Sequence, residues 1–504
     1  MPVTPGLHTG TSAGRWVIAA AVLGSGVAFL DGSVVNAALP AIASDLHANL
    51  ADLQWVLTGY LLTLGSLLVI GGSLGDLFGR RRMFMIGLLG FAAASLLCGV
   101  APSTATLIAA RCIQGMSASL LVPGSLAIIS ASFCDEDRPR AIGTWSGLGG
   151  IALAIGPFLG GWLIDSVSWR AVFLINLPVV AVTAVLTLGH VPESYDTESG
   201  HDDAGVPLSV LQRVDVLGGA LLAFGLGGVV YSLIEGPGSS WSASTVLIGV
   251  VGAALLVGFV VEEVRSKHPM VPLSVFRSRQ FSGANATTLA VYGALGSAMF
   301  LVVVYLQTVL RYSALEAGAA FIPITIFMLA FSARAGALAQ RIGPRLPMTI
   351  GPLVAGAGIA LFSRAQPGTS YWAGVLPGAV VLGMGLTLTV APLTAAVLAA
   401  IDDRHAGVGS AINNAVARLA GLLTIAVLPT VAGLAGKGGG LDFGSGFDHA
   451  MYIGGGLCAV GGVIAFLTIR TVAPVRTFTR ADVSAPCQGP SLAEPASQPE
   501  EKAA

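Results

Sequence analysis

Long apolar runs recur along the whole chain, and they constrain its fold more than any other feature. Each run is about 20 residues long, which is enough to cross the hydrocarbon core of a bilayer as an α-helix. A membrane β-barrel would instead show short segments of alternating polarity. The fourteen predicted spans lie at residues 15–38, 53–73, 83–101, 105–131, 140–165, 169–190, 216–234, 244–262, 282–310, 316–335, 347–365, 371–399, 407–433 and 448–470. We therefore expect an all-α polytopic membrane protein with fourteen transmembrane helices.

The composition excludes a soluble globular protein. Only 10% of the 504 residues are charged, 54% are hydrophobic, and the mean hydropathy is +0.82. A soluble domain carries about 25% charged residues. The formal net charge of −1 gives no basic surface for nucleic acid. The five cysteines form no CxxC or CxxH pair, so the spacing predicts neither a disulfide framework nor a metal site.

The distribution of Lys and Arg predicts the orientation. With the N-terminus in the cytoplasm, nineteen of the 25 basic residues fall on the cytoplasmic side, two fall within spans and four fall outside. This excess follows the positive-inside rule and predicts a multi-pass protein of the cell (inner or plasma) membrane with both termini in the cytoplasm. The tail 471–504 is rich in Pro, Ala, Ser and Glu and has no apolar period, so we expect it to be disordered.

An internal repeat divides the chain. The segment 72–81 is echoed by 336–345 at an offset of 264, and an Asp-Arg pair at 137–138 is echoed at 403–404. The offset leaves room for two helices between two six-helix halves, so the repeat predicts a 6 + 2 + 6 arrangement. The predicted parts are a cytoplasmic N-terminus (1–14), a six-helix bundle (15–190), loops with two linker helices (191–281), a second six-helix bundle (282–470) and the tail (471–504).

Five segments resemble the motifs of a single family and occur in its order. They are Leu30–Pro40 in span 1, Gly72–Arg81 after span 2, Arg111-x-x-Gln114-Gly115 in span 4, Gly156-Pro157-x-x-Gly160-Gly161 in span 5, and Trp169–Pro178 at the start of span 6. The set resembles the fourteen-helix drug:proton antiporter branch of the major facilitator superfamily (EmrB/QacA-like multidrug exporters). Ala152 departs from this pattern, because an earlier Gly is common there. The resemblance implies the major facilitator fold and proton-driven export.

Asp31 and Arg111 are the candidate proton-coupling residues. Asp31 is the only carboxylate well inside a span of the first half, and a charge at that depth is costly unless it is paired, hydrated or protonated. Arg111 never loses its charge and is the natural partner, and Gln114 lies one helical turn away on the same face. The resemblance implies proton coupling at Asp31. A static ion pair, an Arg111 that satisfies backbone carbonyls and a Gln114 that only packs remain alternatives.

The loop after span 2 is a candidate conformational latch. Gly72 and Gly79 permit a tight turn, and Asp76 can make charge-assisted contacts with Arg80 or Arg81 that exist in one conformation only. In the family such a loop latches the cytoplasmic side. The alternative is a hairpin that only carries positive charge. In the second copy, Gln340 replaces the Asp, so that latch is electrically weaker.

The motif in span 5 predicts a kinked, closely packed helix. Gly156-Pro157 interrupts the helical hydrogen-bond ladder, and Gly160 and Gly161 let a neighbouring backbone approach. Such a helix is suited to sealing one face of an antiporter. Gly-Pro kinks are also common in membrane helices in general, so this motif gains its meaning from the others.

The candidate residues of a substrate cavity are Gln114, Asn413, Asn414 and Arg418. Arg418 falls near the middle of span 13, where it is expected to face a cavity, and a structural role is the alternative. Spans 9–14 contain no deeply placed Asp or Glu. This absence favours neutral, monocationic or anionic amphiphiles over dications.

The leading functional hypothesis is proton-coupled efflux of amphiphilic drugs or toxic compounds by alternating access. The proton gradient drives it, and no cofactor, metal or enzymatic activity is expected. The expected partners are small substrates, protons and the lipid bilayer, and the protein is expected to be a monomer. A dedicated exporter of one natural product or lipid is the alternative, and a membrane-embedded enzyme or receptor is a remote one.

Overall fold

The computed structural model describes residues 7–134, 136–195, 215–266, 269–401, 406–434 and 443–470. The predicted disordered tail and the Asp-Arg pair at 403–404 lie outside these ranges. Fourteen helices in the described residues are long and apolar enough to cross a membrane, and we number them α1 to α14 in chain order. They are Ser12–Leu46, Leu50–Phe78, Arg80–Gly99, Thr104–Ser132, Arg140–Ser166, Ala171–His190, Val216–Gly238, Ala243–Arg265, Arg279–Thr308, Ala314–Ile342, Arg345–Arg364, Leu376–Leu398, Val408–Val431 and Gly446–Thr468. Every predicted span is confirmed as one of them.

Several spans differ in detail from their predicted extent. α1 continues through Pro40 to Leu46, eight residues beyond the predicted end. Pro40 has no N–H to donate to the carbonyl of Asn36 one turn earlier, and at the neighbouring carbonyl, that of Ala37, Gln307 of α9 donates a hydrogen bond over 3.0 Å. A one-residue break divides α6 into Ala171–Leu174 and Asn176–His190.

The helices alternate in direction between two ends of the bundle. We call the end at which α1 begins the near end and the opposite end, at which α1 finishes, the far end. Helices α1 to α6 pack with one another, and α9 to α14 form a second group. The linker helices α7 and α8 pack against each other, and α7 also contacts α2 and α13 through Val230 and Ile234, which lie beside Leu422 and Ala426.

The two repeat loops turn on equivalent glycines. α2 and α3 are separated by Gly79 alone, at a φ of 104°. In the second half α10 ends before Gly343, at a φ of 84°, and α11 follows from Arg345. Such positive φ values are accessible to glycine at little cost, so both loops require glycine for the same tight turn.

Candidate functional site

A fully buried polar network occupies the middle of the first half. Arg111 Nη1 of α4 contacts Asp31 Oδ2 of α1 and donates to Gln114 Oε1 over 2.6 Å. Gln114 Nε2 donates to Asp31 Oδ1 over 2.9 Å and to Ser95 Oγ of α3 over 2.8 Å. Asn176 Nδ2 of α6 also donates to Asp31 Oδ1, over 3.1 Å. Residues of four helices therefore form one hydrogen-bonded network around this carboxylate.

The remaining contacts of Arg111 hold its side chain in place. Nε donates to the carbonyl of Val56 on α2 over 3.0 Å, and the guanidinium carbon lies 4.3 Å from the centroid of the Tyr60 ring. The Phe173 ring lies 5.8 Å away. Arg111 is 1% exposed and Asp31 is not exposed at all. Arg111 thus combines one ion pair with aromatic and backbone contacts in a site closed to water.

The opposite charges of Asp31 and Arg111 compensate each other within the network. Removing one partner of a buried ion pair costs about 3–5 kcal/mol, because the other charge stays buried without compensation. The predicted juxtaposition of Asp31, Arg111 and Gln114 is confirmed as geometry. The sequence did not indicate Ser95 or Asn176 as members of this network. The one available indication was that Asn176 belongs to the motif at the start of span 6.

The two halves meet through hydrogen bonds at the far end. Gln54 of α2 donates to the carbonyl of Ile425 on α13 over 2.6 Å. Asp165 at the end of α5 accepts from the backbone N–H groups of Ala314 (3.2 Å) and Leu315 (2.8 Å), which begin α10. Helix-start N–H groups lack partners within their own helix. Asp165 therefore joins the halves by supplying the acceptor that the first turn of α10 needs.

The motif of α5 uses both of its faces for close packing. A Cβ on Gly160 would lie 2.9 Å from Val34 Cγ1 of α1, and one on Gly156 would overlap the side chain of Ser33. On the adjacent face, about 100° around the helix, Pro157 and Gly161 contact the backbone of α10.

These α5–α10 contacts are reciprocal. A Cβ on Gly161 would overlap the Ala314 carbonyl, and one on Gly318 would overlap the Pro157 carbonyl. Small residues on both helices thus let the two backbones touch, as they do at other membrane helix crossings. The close helix approach predicted for Gly160 and Gly161 is present: Gly156 and Gly160 pack against α1 within the first half, and Pro157 and Gly161 form the α5–α10 contact between the halves.

The predicted latch loop forms its described contacts within the first half. Asp76 Oδ1 accepts from Arg80 Nε over 2.8 Å, and Arg81 Nη1 donates to the carbonyl of Val191 over 3.1 Å. Glu193, which follows α6, accepts from the backbone N–H groups of Arg81 (3.0 Å) and Arg82 (3.1 Å). Sequence reasoning missed Glu193, because nothing local marks a carboxylate 112 residues away as the cap of α3.

Gly72 lies outside the tight turn of this loop. It lies on α2, where a Cβ would be in ordinary contact, 3.6 Å from Pro123 of α4. The tight turn itself depends on Gly79, whose φ is 104°. Of the two glycines predicted to permit the turn, Gly79 is therefore the one that this geometry requires.

At the near end the N-terminal segment is attached to the loop before α5. Thr9 donates to Asp137 from its backbone N–H (3.0 Å) and its hydroxyl (3.2 Å), and His8 Nδ1 lies 3.1 Å from the same carboxylate. The Thr9 N–H and then His8 hold the pKa of Asp137 below its usual value. Cys134 joins this cluster, whose ligand-type atoms all lie within 4.8 Å of one another. Sequence spacing gave no sign of it, because its members are far apart in the chain.

The four predicted cavity residues have different surroundings. Gln114 belongs to the buried network above. Asn413 donates to Asn285 Oδ1 (3.1 Å) and Thr288 Oγ1 (2.8 Å) of α9, and Asn414 donates to the carbonyl of Ser410 in its own helix.

Arg418 is the fourth predicted cavity residue. Its guanidinium carbon lies 5.7 Å from the centroid of the Phe29 ring on α1, so it reaches across the seam between the halves. Among the described residues it has no hydrogen bond or ion pair.

Comparison with known proteins identifies the family. The model of the Major Facilitator Superfamily matches residues 21–425. The chain therefore belongs to the major facilitator superfamily of transporters, a multi-pass membrane family that moves small substrates across the membrane. The fold predicted from the sequence is confirmed.

Its curated relatives include resistance and export proteins. A probable actinorhodin transporter of Streptomyces coelicolor is 33% identical over 84% of this chain and 74% of the relative. A puromycin resistance protein of Streptomyces alboniger is 34% identical over 86% and 84%, and a methylenomycin A resistance protein of Bacillus subtilis is 32% identical over 82% and 87%.

Among solved structures, a POT family transporter in complex with 5-aminolevulinic acid superposes with a TM-score of 0.66. It covers 90% of this chain and 95% of its own, with 14% identity, so it supports the fold alone.

Proposed function

We propose that this protein is a proton-coupled exporter that expels amphiphilic compounds by alternating access. The observation that carries the proposal is the buried network around Asp31, which combines a titratable carboxylate with a permanent cation at mid-membrane depth. The names of the relatives support drug or antibiotic export. No cofactor enters the proposal, because the proton gradient supplies the energy.

Protonation of Asp31 would change the energy of the network. The neutral acid no longer compensates Arg111, and a buried uncompensated charge is costly, so the protonated network favours a rearrangement that brings Arg111 to water or to another acceptor. Asn176 supplies a hydrogen-bond acceptor for the protonated carboxyl group. Its Oδ1 is buried without a hydrogen-bond partner among the described residues, and it is the available acceptor beside Asp31 for the new O–H.

The positive-inside distribution supports an orientation with the near end in the cytoplasm. In that orientation the far-end seam, held by Gln54 and Asp165, closes the outer side. We therefore assign this conformation to the state that admits substrate from the cytoplasm or the inner leaflet. Release outside requires these three hydrogen bonds and the α5–α10 contact to separate, and we propose that the protein carries out this cycle as a monomer.

Dye efflux driven by a proton gradient in inverted membrane vesicles tests the proposal, with the wild type compared with Asp31→Asn. We expect gradient-driven transport in the wild type and its loss in the variant. Asp45→Asn is the matched control, because Asp45 lies on the same helix but at the far end, where it pairs with Arg170. An uncoupler-insensitive wild type would refute antiport, and unchanged coupling in Asp31→Asn would refute the role of Asp31.

The relative named as a transporter of a single compound favours a second candidate, a dedicated exporter of one natural product. Competition among a panel of structurally unrelated substrates separates the two. A dedicated exporter transports one member and its close analogues only.

A further inference from the structure

The charge at the centre of the seam is positive, and its origin is Arg418. This residue lies at the middle of α13, and its guanidinium is directed across the seam to the Phe29 ring of α1. α13 approaches α2 closely at the same level, since a Cβ on Gly65 would lie 3.5 Å from Arg418 Cβ. Arg418 is therefore at the meeting point of the two halves, within the membrane.

No described carboxylate neutralises this cation. Asp31 is the one described carboxylate that lies in the middle of a span, and Arg111, Gln114 and Asn176 already occupy its oxygens. The Asp31–Arg111 pair is neutral as a unit, which leaves one positive charge at the seam. A cation inside a membrane protein is costly, and it usually pairs with an anion or marks the path of a ligand.

Aromatic rings of the first half lie beside the cation. The Phe29 ring, 5.7 Å from the guanidinium carbon, lies 6.4 Å from the Trp145 ring of α5. A guanidinium over an aromatic face retains its hydrogen-bond donors, and it matches a carboxylate in a bidentate geometry. The site thus offers a planar donor group next to flat apolar surfaces.

We propose that Arg418 binds the negative group of the transported molecule, and that the substrates are organic monoanions with an apolar ring system. The inference rests on the proposed proton-coupled export. A monoanionic substrate changes the net charge that each transport cycle moves across the membrane. Exchange of one proton for one monocation moves no net charge, whereas inward movement of one proton with outward movement of one monoanion transfers two charges. Each transferred charge changes the equilibrium substrate gradient by about 50-fold per 100 mV.

Binding to the purified protein tests the charge preference directly. Fluorescein, at a mildly acidic pH at which its monoanion predominates, and the cation rhodamine 6G share a xanthene ring system and carry opposite charge. We expect the wild type to bind fluorescein more tightly, Arg418→Gln to weaken fluorescein binding at least 10-fold without weakening rhodamine 6G, and Arg418→Lys to retain much of the preference. Arg334→Gln is the matched control, because Arg334 also lies over a phenylalanine ring, at 5.5 Å, but is exposed.

Two results overturn the proposal: fluorescein affinity within twofold of wild type in Arg418→Gln, or an equal loss for both dyes. The binding assay needs no proton gradient. It therefore tests the role of Arg418 separately from the proposal that transport is proton-driven. In proteoliposomes, fluorescein transport at a fixed proton gradient is expected to respond to an imposed potassium diffusion potential. Transport of fluorescein that ignores the potential also contradicts the proposal.

Discussion

Asp165 provides the most direct test of how the two halves separate. It is bonded to the N–H groups of Ala314 and Leu315 across the far-end seam. Each hydrogen bond contributes about 0.5–1.5 kcal/mol net, and the exposure of this carboxylate places its two bonds at the low end of that range. Asp165→Ala therefore removes about 1–2 kcal/mol from the state closed at the far end. The equilibrium should shift by about 5- to 30-fold towards the state open at that end.

Distance measurements between spin labels on the two halves report this shift. Exposed positions at the far end are available in both halves, at Val167 after α5 and Trp372 before α12. In a cysteine-free background, we expect Asp165→Ala to increase the population with the longer label separation.

Asp45→Ala is the matched control. Asp45 is also a far-end carboxylate, but its partners Trp169 and Arg170 belong to the same half. Its removal should leave the distribution unchanged. An equal shift in the two variants, or none in Asp165→Ala, would show that the seam does not depend on this cap.

Two further predictions concern the packing of α5 and the near end. Gly161→Val should prevent the backbone contact between α5 and α10 and favour the far-end-open distances, whereas Gly147→Val, on the same helix with open space around it, should not; equal effects would contradict the packing argument. Because the pKa of Asp137 is lowered in the folded protein, its hold on Thr9 and His8 should be complete above the ordinary pKa of Asp and lost as the pH falls through the lower value. The protection of the Thr9 amide, measured as its exchange rate relative to the intrinsic rate at the same pH, should therefore be lost in the wild type as the pH falls below the ordinary pKa of Asp; an equal pH-dependent loss in Asp137→Asn would refute this assignment.

Much of the central site could be predicted because a membrane makes isolated charges costly. Asp31 and Arg111 stand out in apolar spans, and each needs compensation, so their pairing could be expected before any coordinates. Gln114 followed from its position one turn from Arg111. Ser95 and Asn176 carry no charge that requires compensation, and uncharged polar residues are common in membrane helices. Only the packing of α3 against α4, and of α6 against α1 and α3, brings them into the network around the carboxylate.

The sequence by itself determined the number of helices, their order, the repeat that sets the two halves and the glycines of the tight turns. These are local properties, set by the length of an apolar run or by the φ that one residue must adopt. The tertiary structure decided which distant groups meet: Asp165 with the start of α10, Glu193 with the start of α3, and Arg418 with Phe29. A helix-start N–H group can donate to any suitably placed acceptor, and a guanidinium can lie over any suitably placed ring. The placement of these partners depends on how whole helices pack.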